Sequence, residues 1–145
     1  MARHRFGVGD YKYFRRPLPP LVDELRTKAY PRLAGVANRW MAALGREARF
    51  PAELEAFLRT CAAHGQTEPT PLLLHYEAGG YNCLHQDLYG EVAFPLQLTA
   101  FLTPPGAYEG GEFLLVEQRP RAQSIGHAIR AGRRYALGII FHDAR

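Results

Sequence analysis

A histidine and an aspartate two residues apart are the groups of this chain best suited to chemistry. His85 and Asp87 lie in the segment 81–87, whose composition and flanking glycines predict a β-strand. Because successive side chains of a strand point to opposite faces, both groups are expected on one side of it. One imidazole and one carboxylate are two thirds of the 2-His-1-carboxylate arrangement that holds non-haem Fe(II). The sequence therefore predicts part of a metal site that needs one more histidine.

The elements expected to position this pair are helices in the first half and strands in the second. Apolar residues at helical spacing predict helices over 21–29 and 33–44, divided by Pro31, and a third from Pro51. Trp40 and Met41 are interpreted as core residues of these helices. From Pro71 the period changes to that of strands, which are predicted over 72–76, 81–87, 94–102, 112–118 and 134–142.

This order predicts an α+β fold in which helices pack on one side of a β-sandwich or jelly roll. A length of 145 residues and a hydrophobic fraction of 47% suit one domain with a real core. Within it, residues 1–66 are expected to be mainly helical support and residues 71–145 a β core.

Charge and cysteine content restrict the partners and the compartment. The net charge is +4, but the basic residues are scattered and form no run, so they are interpreted as solvated and nucleic acid is not the expected partner. Cys61 and Cys83 form no metal-binding motif and are expected to be reduced thiols of a cytoplasmic protein. The chain has no recognisable secretory signal and no apolar run of membrane-spanning length, so a membrane is not expected as a partner.

Three motifs in combination carry a resemblance to a known family. They are HQD at 85–87, EGGEF at 109–113 and GRRYAL at 132–137. With these motifs, the stretch 72–123 and the ending 132–143 resemble the bacterial 2-oxoglutarate/Fe(II)-dependent oxygenases of the prolyl-4-hydroxylase-like group. The segment 6–14 and the helices are similar to the region that precedes the oxygenase core. The resemblance implies a double-stranded β-helix as the core.

The resemblance also implies roles for particular residues. His85 and Asp87 would bind Fe(II), and Arg134, which opens the last strand, would pair with the distal carboxylate of 2-oxoglutarate. A guanidinium suits that role because its planar fork binds a carboxylate through two hydrogen bonds and keeps its charge when partly buried. Tyr76 is a candidate donor to cosubstrate or substrate, or else a packing residue. Oxygen is the second cosubstrate and ascorbate an expected additive, while the substrate, a small molecule or a protein, stays open.

The chain departs from the family pattern before Arg134. The family places its second metal-binding histidine about ten residues earlier, where this chain has Ser124, and the nearest histidine is His127. The family also inserts roughly forty to fifty residues of further barrel strands before the last hairpin. The chain thus resembles the family with an internal segment missing, and His127 would complete the metal site from a shortened hairpin. His142, beside Asp143, is a further candidate for a pair, although the family does not use that position.

Two functions follow from this comparison. The first is a dioxygenase that couples decarboxylation of 2-oxoglutarate to hydroxylation of a C–H bond. The alternative is a non-catalytic, internally shortened homologue that acts as a binding or scaffold module. In either case a strand edge left exposed by the missing segment would allow a homodimer.

Overall fold

The computed structural model describes residues 7–47, 49–83, 85, 87, 90–112 and 128–145. Within them the chain forms two helices, α1 (Pro20–Ala43) and α2 (Leu54–Ala63). The strands of the described part are β1 (Gly7–Val8), β2 (Asp10–Tyr13), β3 (Leu72–Tyr76), β4 (Tyr81–Asn82), β5 (Gln97–Phe101), β6 (Tyr108–Gly110), β7 (Ile129–Gly132) and β8 (Arg134–Ile140). The predicted α+β class is confirmed. No helix of the described residues combines the length and apolar character needed to cross a membrane.

Helix α1 runs without interruption through Pro31, so the predicted division into two helices was wrong. Its buried residues recur every three or four positions on both sides of the proline: Val22, Arg26, Tyr30, Ala34 and Ala37. Pro31 itself is exposed, and so is Thr27, whose carbonyl loses its hydrogen bond there. Burial of one continuous face therefore outweighs one missing hydrogen bond.

The C-terminal end of α1 extends past the core, which corrects the assignment of Trp40 to the interior. Ala37 is the last buried residue of the helix, whereas Trp40 is 52% exposed and Leu44 68% exposed. Periodicity places an apolar residue on one side of a helix but does not show whether another element covers that side.

The described strands form three sheets and do not close into a barrel. One sheet has the order β2–β3–β8–β5, and β1 pairs with β4 and β6 with β7, both antiparallel. The strand predicted over 72–76 is confirmed as β3. The strand predicted over 94–102 is shorter, since β5 begins at Gln97, after Pro95, which has no N–H to donate. Of the strand predicted over 112–118, all but Glu112 lies outside the described residues.

The strand predicted to carry His85 and Asp87 is also shorter than expected. Strand β4 contains only Tyr81 and Asn82, which pair with Val8 and Gly7 of β1. His85 and Asp87 follow this strand rather than lying in it. The alternation of strand side chains consequently says nothing about their relative direction.

The described residues divide into two compact units. The first comprises those within 1–12, 73–86 and 100–137, and the second those within 13–72, 87–99 and 138–145. The second unit contains both helices and an aromatic core of Tyr30, Phe50, Phe57, Phe94 and Phe141, whose ring centroids lie 4.9–5.9 Å apart where they touch. Stacked, tilted and edge-on ring pairs of this kind contribute packing and weak electrostatic attraction.

Candidate functional site

The most distinctive polar group of the first unit is Arg134, which the strand order surrounds with aromatic rings. Arg134 opens β8, while Tyr76 and Phe101 end the neighbouring strands β3 and β5. The guanidinium carbon lies 4.9 Å from the ring centroid of Tyr76, 5.7 Å from that of Phe101 and 6.0 Å from that of Tyr108. A cation over several ring faces is attracted by each of them. The rings therefore hold the guanidinium in one place while it stays half-buried.

The hydrogen bonds of Arg134 leave part of its donor set unused. Nη1 donates to the backbone carbonyl of Gly111, whereas Nε is buried and has no hydrogen-bond partner in the described part of the chain. A buried donor without a partner costs about 1–3 kcal/mol, which an acceptor from a ligand would recover. The geometry suits an anion that accepts from this side of the guanidinium.

The glycine pair of the sequence motif makes this approach possible. Gly111 has φ of +65°, in the left-handed region, and a Cβ there would lie 3.1 Å from Arg134 Nη1 and against the side chain of Ile129. Only glycine allows both the backbone conformation and the close contact. The motif thus presents a carbonyl to the guanidinium and fixes its orientation.

Tyr76 places a neutral phenol ring next to the guanidinium. The side chain is 2% exposed, and burial raises the pKa of its phenol, with a hydrogen bond to Tyr11 acting in the same direction. Arg134 and a hydrogen bond from Asn82 oppose this rise in the pKa without cancelling it. The Tyr11 ring meets that of Tyr76 edge-on, with 5.9 Å between centroids. Tyr76 therefore stays protonated at neutral pH and offers a hydroxyl in fixed surroundings.

Two of the three predicted metal ligands, His85 and Asp87, are among the described residues. His85 is exposed, and its Nδ1 lies 2.8 Å from the carbonyl oxygen of Cys83. In the tautomer that donates this hydrogen bond, Nε2 carries the lone pair, as in histidines whose second nitrogen binds a metal. Asp87 is half-buried, and His127 lies outside the described residues. Among the residues that the structure describes, no three side chains of the metal-binding types come together as a site.

His142 is buried in the second unit, where its Nδ1 accepts a hydrogen bond of 3.1 Å from the backbone N–H of Phe94. Burial is the main cause that lowers the pKa of His142, and the charge of Arg26 adds to it, against the opposing charges of Asp87 and Asp143. The imidazole is therefore neutral, and in the tautomer set by this hydrogen bond the proton is on Nε2.

Sequence reasoning missed Arg26, which forms the main buried ion pair of the second unit. Arg26 is 1% exposed and donates to Asp143 Oδ1 at 2.7 Å and to the Phe141 carbonyl at 2.7 Å. Arg16 binds the other carboxylate oxygen of Asp143. The sequence did contain a signal for the burial of Arg26. This arginine lies four residues from both Val22 and Tyr30 and so falls on the buried stripe of α1. The bonds of Asp143 to two arginines indicate a structural role.

Comparison with known proteins shows which family the chain belongs to. Residues 9–130 match a family model, Oxygenase-NA, described as an oxygenase catalysing oxidative methylation of damaged DNA. The match covers most of the chain, which therefore belongs to this oxygenase family. It ends before Arg134, and it does not specify the prolyl-4-hydroxylase-like group. Among the described residues, Cys61 and Cys83 form no disulfide.

Relatives in Mycobacterium tuberculosis show how much of the chain is shared. Two uncharacterised proteins, one from strain CDC 1551 / Oshkosh and one from strain ATCC 25618 / H37Rv, are each 43% identical over 167 residues, covering 90% of this chain and 72% of the relative. No solved structure matches. Since 90% of 145 residues is about 130, about 37 of the 167 aligned positions have no residue in this chain. This difference supports the prediction that an internal segment is missing.

Proposed function

We propose that this protein is a 2-oxoglutarate- and Fe(II)-dependent oxygenase that couples decarboxylation of 2-oxoglutarate to oxidation of a C–H bond. Family membership supports oxygenase chemistry. Binding of 2-oxoglutarate is supported by the surroundings of Arg134. Its guanidinium is held among aromatic rings, and its buried Nε has no partner among the described residues. A carboxylate is the natural acceptor for such a donor, because its two oxygens match the guanidinium fork.

In this proposal Arg134 anchors the distal carboxylate, and the Tyr76 hydroxyl shares in binding it by exchanging its hydrogen bond to Tyr11 for one to the acid. The aromatic rings cover part of the guanidinium and lower the local dielectric constant, which strengthens its attraction for the acid. His85, Asp87 and His127 would hold the iron, which when bound supplies the activation of oxygen. The contact of His85 Nδ1 with the Cys83 carbonyl would orient the imidazole so that Nε2 faces the metal. Ascorbate would serve only to keep the metal reduced.

The test uses the purified full chain, loaded with Fe(II) under anaerobic conditions and then given 2-oxoglutarate. We expect a weak metal-to-ligand absorption band in the visible region, followed by formation of succinate when oxygen is admitted. Absence of both the band and succinate would refute the proposal.

The alternative is a shortened homologue that has lost iron and acts as a binding module. The observation that favours it is the set of about 37 aligned positions of the relatives that this chain lacks. His127→Ala separates the two functions. An oxygenase with a complete triad should lose Fe(II) affinity about 10-fold or more on losing a ligand, since even changes around ligands cost about 10–100-fold. Unchanged affinity would favour the binding module.

For the substrate we propose DNA, the class that the family description names. This replaces the expectation, drawn from scattered charges, that nucleic acid is not a partner. Succinate formation should then be stimulated by a damaged single-stranded oligonucleotide more than by the undamaged oligonucleotide of the same sequence. Equal rates with both oligonucleotides and with no DNA would count against DNA as substrate and leave a small molecule or a protein.

A further inference from the structure

One segment of the second unit is rich in arginine and poor in acidic residues. Residues 29–52 contain four basic residues and a single acidic residue, Glu47, a balance of +3. The four are Arg32, Arg39, Arg46 and Arg49. No carboxylate of the described residues lies within 4.0 Å of any of them, in contrast to the paired arginines of the same unit, Arg16, Arg26, Arg59 and Arg145. Their charge is therefore uncompensated by close partners.

Two of these arginines share the exposed face of α1. Arg32 and Arg39 are seven residues apart, two helical turns, so both lie on one side of the helix at an axial separation of about 10 Å. Both are exposed, on the side opposite the buried stripe. Arg39 Nη1 lies 3.8 Å from the position that a Cβ would take at Gly35. The guanidinium of Arg39 thus folds back along the helix, towards Arg32, across a residue without a side chain.

An exposed aromatic residue adjoins Arg39 in the sequence. Trp40, the single tryptophan of the chain, follows Arg39 and is 52% exposed, beyond the last buried residue of α1. Surfaces that bind single-stranded nucleic acid combine cations that follow the phosphates with aromatic rings on which bases stack. Arginine is well suited to phosphate because its fork binds two oxygens at once.

We propose that Arg32, Arg39 and Trp40, here called the α1 surface, bind single-stranded DNA. The arginines would contact phosphates and the indole would stack on one base. The proposal rests on the proposed DNA substrate and adds where the strand is held.

A membrane surface fits these residues less well. A helix that lies in a lipid interface needs a continuous apolar face. The apolar face of α1 is buried in the core of its unit, and only Trp40 and Leu44 remain exposed near its C-terminal end. Phosphate recognition with one stacking ring accounts for the arginines as well as the tryptophan.

The experiment measures quenching of Trp40 fluorescence by an undamaged 12-nucleotide oligo(dT) in a salt series. We expect saturable quenching and an affinity that falls with salt, by about 0.7 in the log–log slope for each phosphate contacted. Arg32→Ala/Arg39→Ala removes two contacts, so the slope should decrease in magnitude by about 1.4. Arg59→Ala is the matched control, because Arg59 is an exposed arginine on α2 that pairs with Glu55. It should leave the slope unchanged.

The stacking role of Trp40 is tested with a fluorescein-labelled oligo(dT) and anisotropy. Trp40→Ala should weaken binding about 10-fold, within the range measured for loss of one stacked base. Equal slopes for the double variant and the Arg59→Ala control would overturn the proposal. So would quenching by vesicles of phosphatidylserine and phosphatidylcholine with none by the oligonucleotide.

Failure of the oxygenase proposal would look different. The double variant should retain the visible absorption band with Fe(II) and 2-oxoglutarate, because the α1 surface contains none of the residues proposed to bind them. If the unchanged protein lacks that band but binds oligo(dT) with the expected dependence on salt, the proposed DNA-binding role of the α1 surface is supported and the oxygenase proposal fails.

Discussion

Replacing Arg134 by lysine tests the proposed binding site for the distal carboxylate of 2-oxoglutarate most directly. Lysine keeps the positive charge but presents one compact ammonium instead of a planar fork. In the structure Arg134 Nη1 is engaged with the Gly111 carbonyl, so the ligand would bind through the remaining N–H groups, among them the buried Nε. Lysine can provide only one such bond in the same space.

The size of the effect follows from the lost hydrogen bond. A hydrogen bond to a charged group contributes about 1.5–3 kcal/mol. At about 1.4 kcal/mol per factor of ten, Arg134→Lys should raise the Kd for 2-oxoglutarate about 10- to 150-fold. Loss of the aromatic contacts, the closest at 4.9 Å to the Tyr76 ring, would add to this value.

The assay is calorimetric titration of the Fe(II)-loaded protein without oxygen, with 2-oxoglutarate and with 2-oxobutyrate, which lacks the distal carboxylate. Binding of 2-oxobutyrate should change little in Arg134→Lys. The matched control is Arg133→Lys, an exposed neighbour 3.3 Å from Glu77, which should alter neither affinity. Equal weakening of both ligands by Arg134→Lys would refute a contact between Arg134 and the distal carboxylate.

Two further predictions concern the core of the second unit. Burial raises the pKa of Tyr30, whose hydroxyl has no partner in the described residues. Above pH 10, near the usual pKa of tyrosine, the phenol is therefore neutral in the folded protein and ionises when the chain unfolds. The contribution of Tyr30 to stability should be full below pH 10 and fall above it. In calorimetric melting, Tyr30→Phe should lessen that fall and cost little stability at pH 7. A large loss of stability at pH 7 would contradict this. Arg26→Met should destabilise the fold by about 3–5 kcal/mol in urea unfolding because it leaves Asp143 buried with one partner fewer. Arg16→Ala, at the half-exposed partner, should cost clearly less, and equal losses would show that burial does not set the cost.

The site proposed for 2-oxoglutarate was predictable in part. Arg134 and Tyr76 were both candidates from their sequence context, and the structure brings the guanidinium over the Tyr76 ring. Phe101 and Tyr108 were not predicted to join them, because the position of β5 and β6 beside this group depends on strand pairing between distant segments. The pair at His85 and Asp87 remains a prediction from spacing and family, without support from a regular strand.

The sequence by itself determined the α+β class, the strand at 72–76, and the motifs that identify an oxygenase family, since local periodicity and residue type are written in the order of the chain. Only the tertiary structure decided that α1 continues through Pro31, that Arg26 is buried and that Trp40 is exposed. Whether a side chain is covered depends on which distant element packs against it. That choice is made by the free energy of the whole folded chain and not by any single segment.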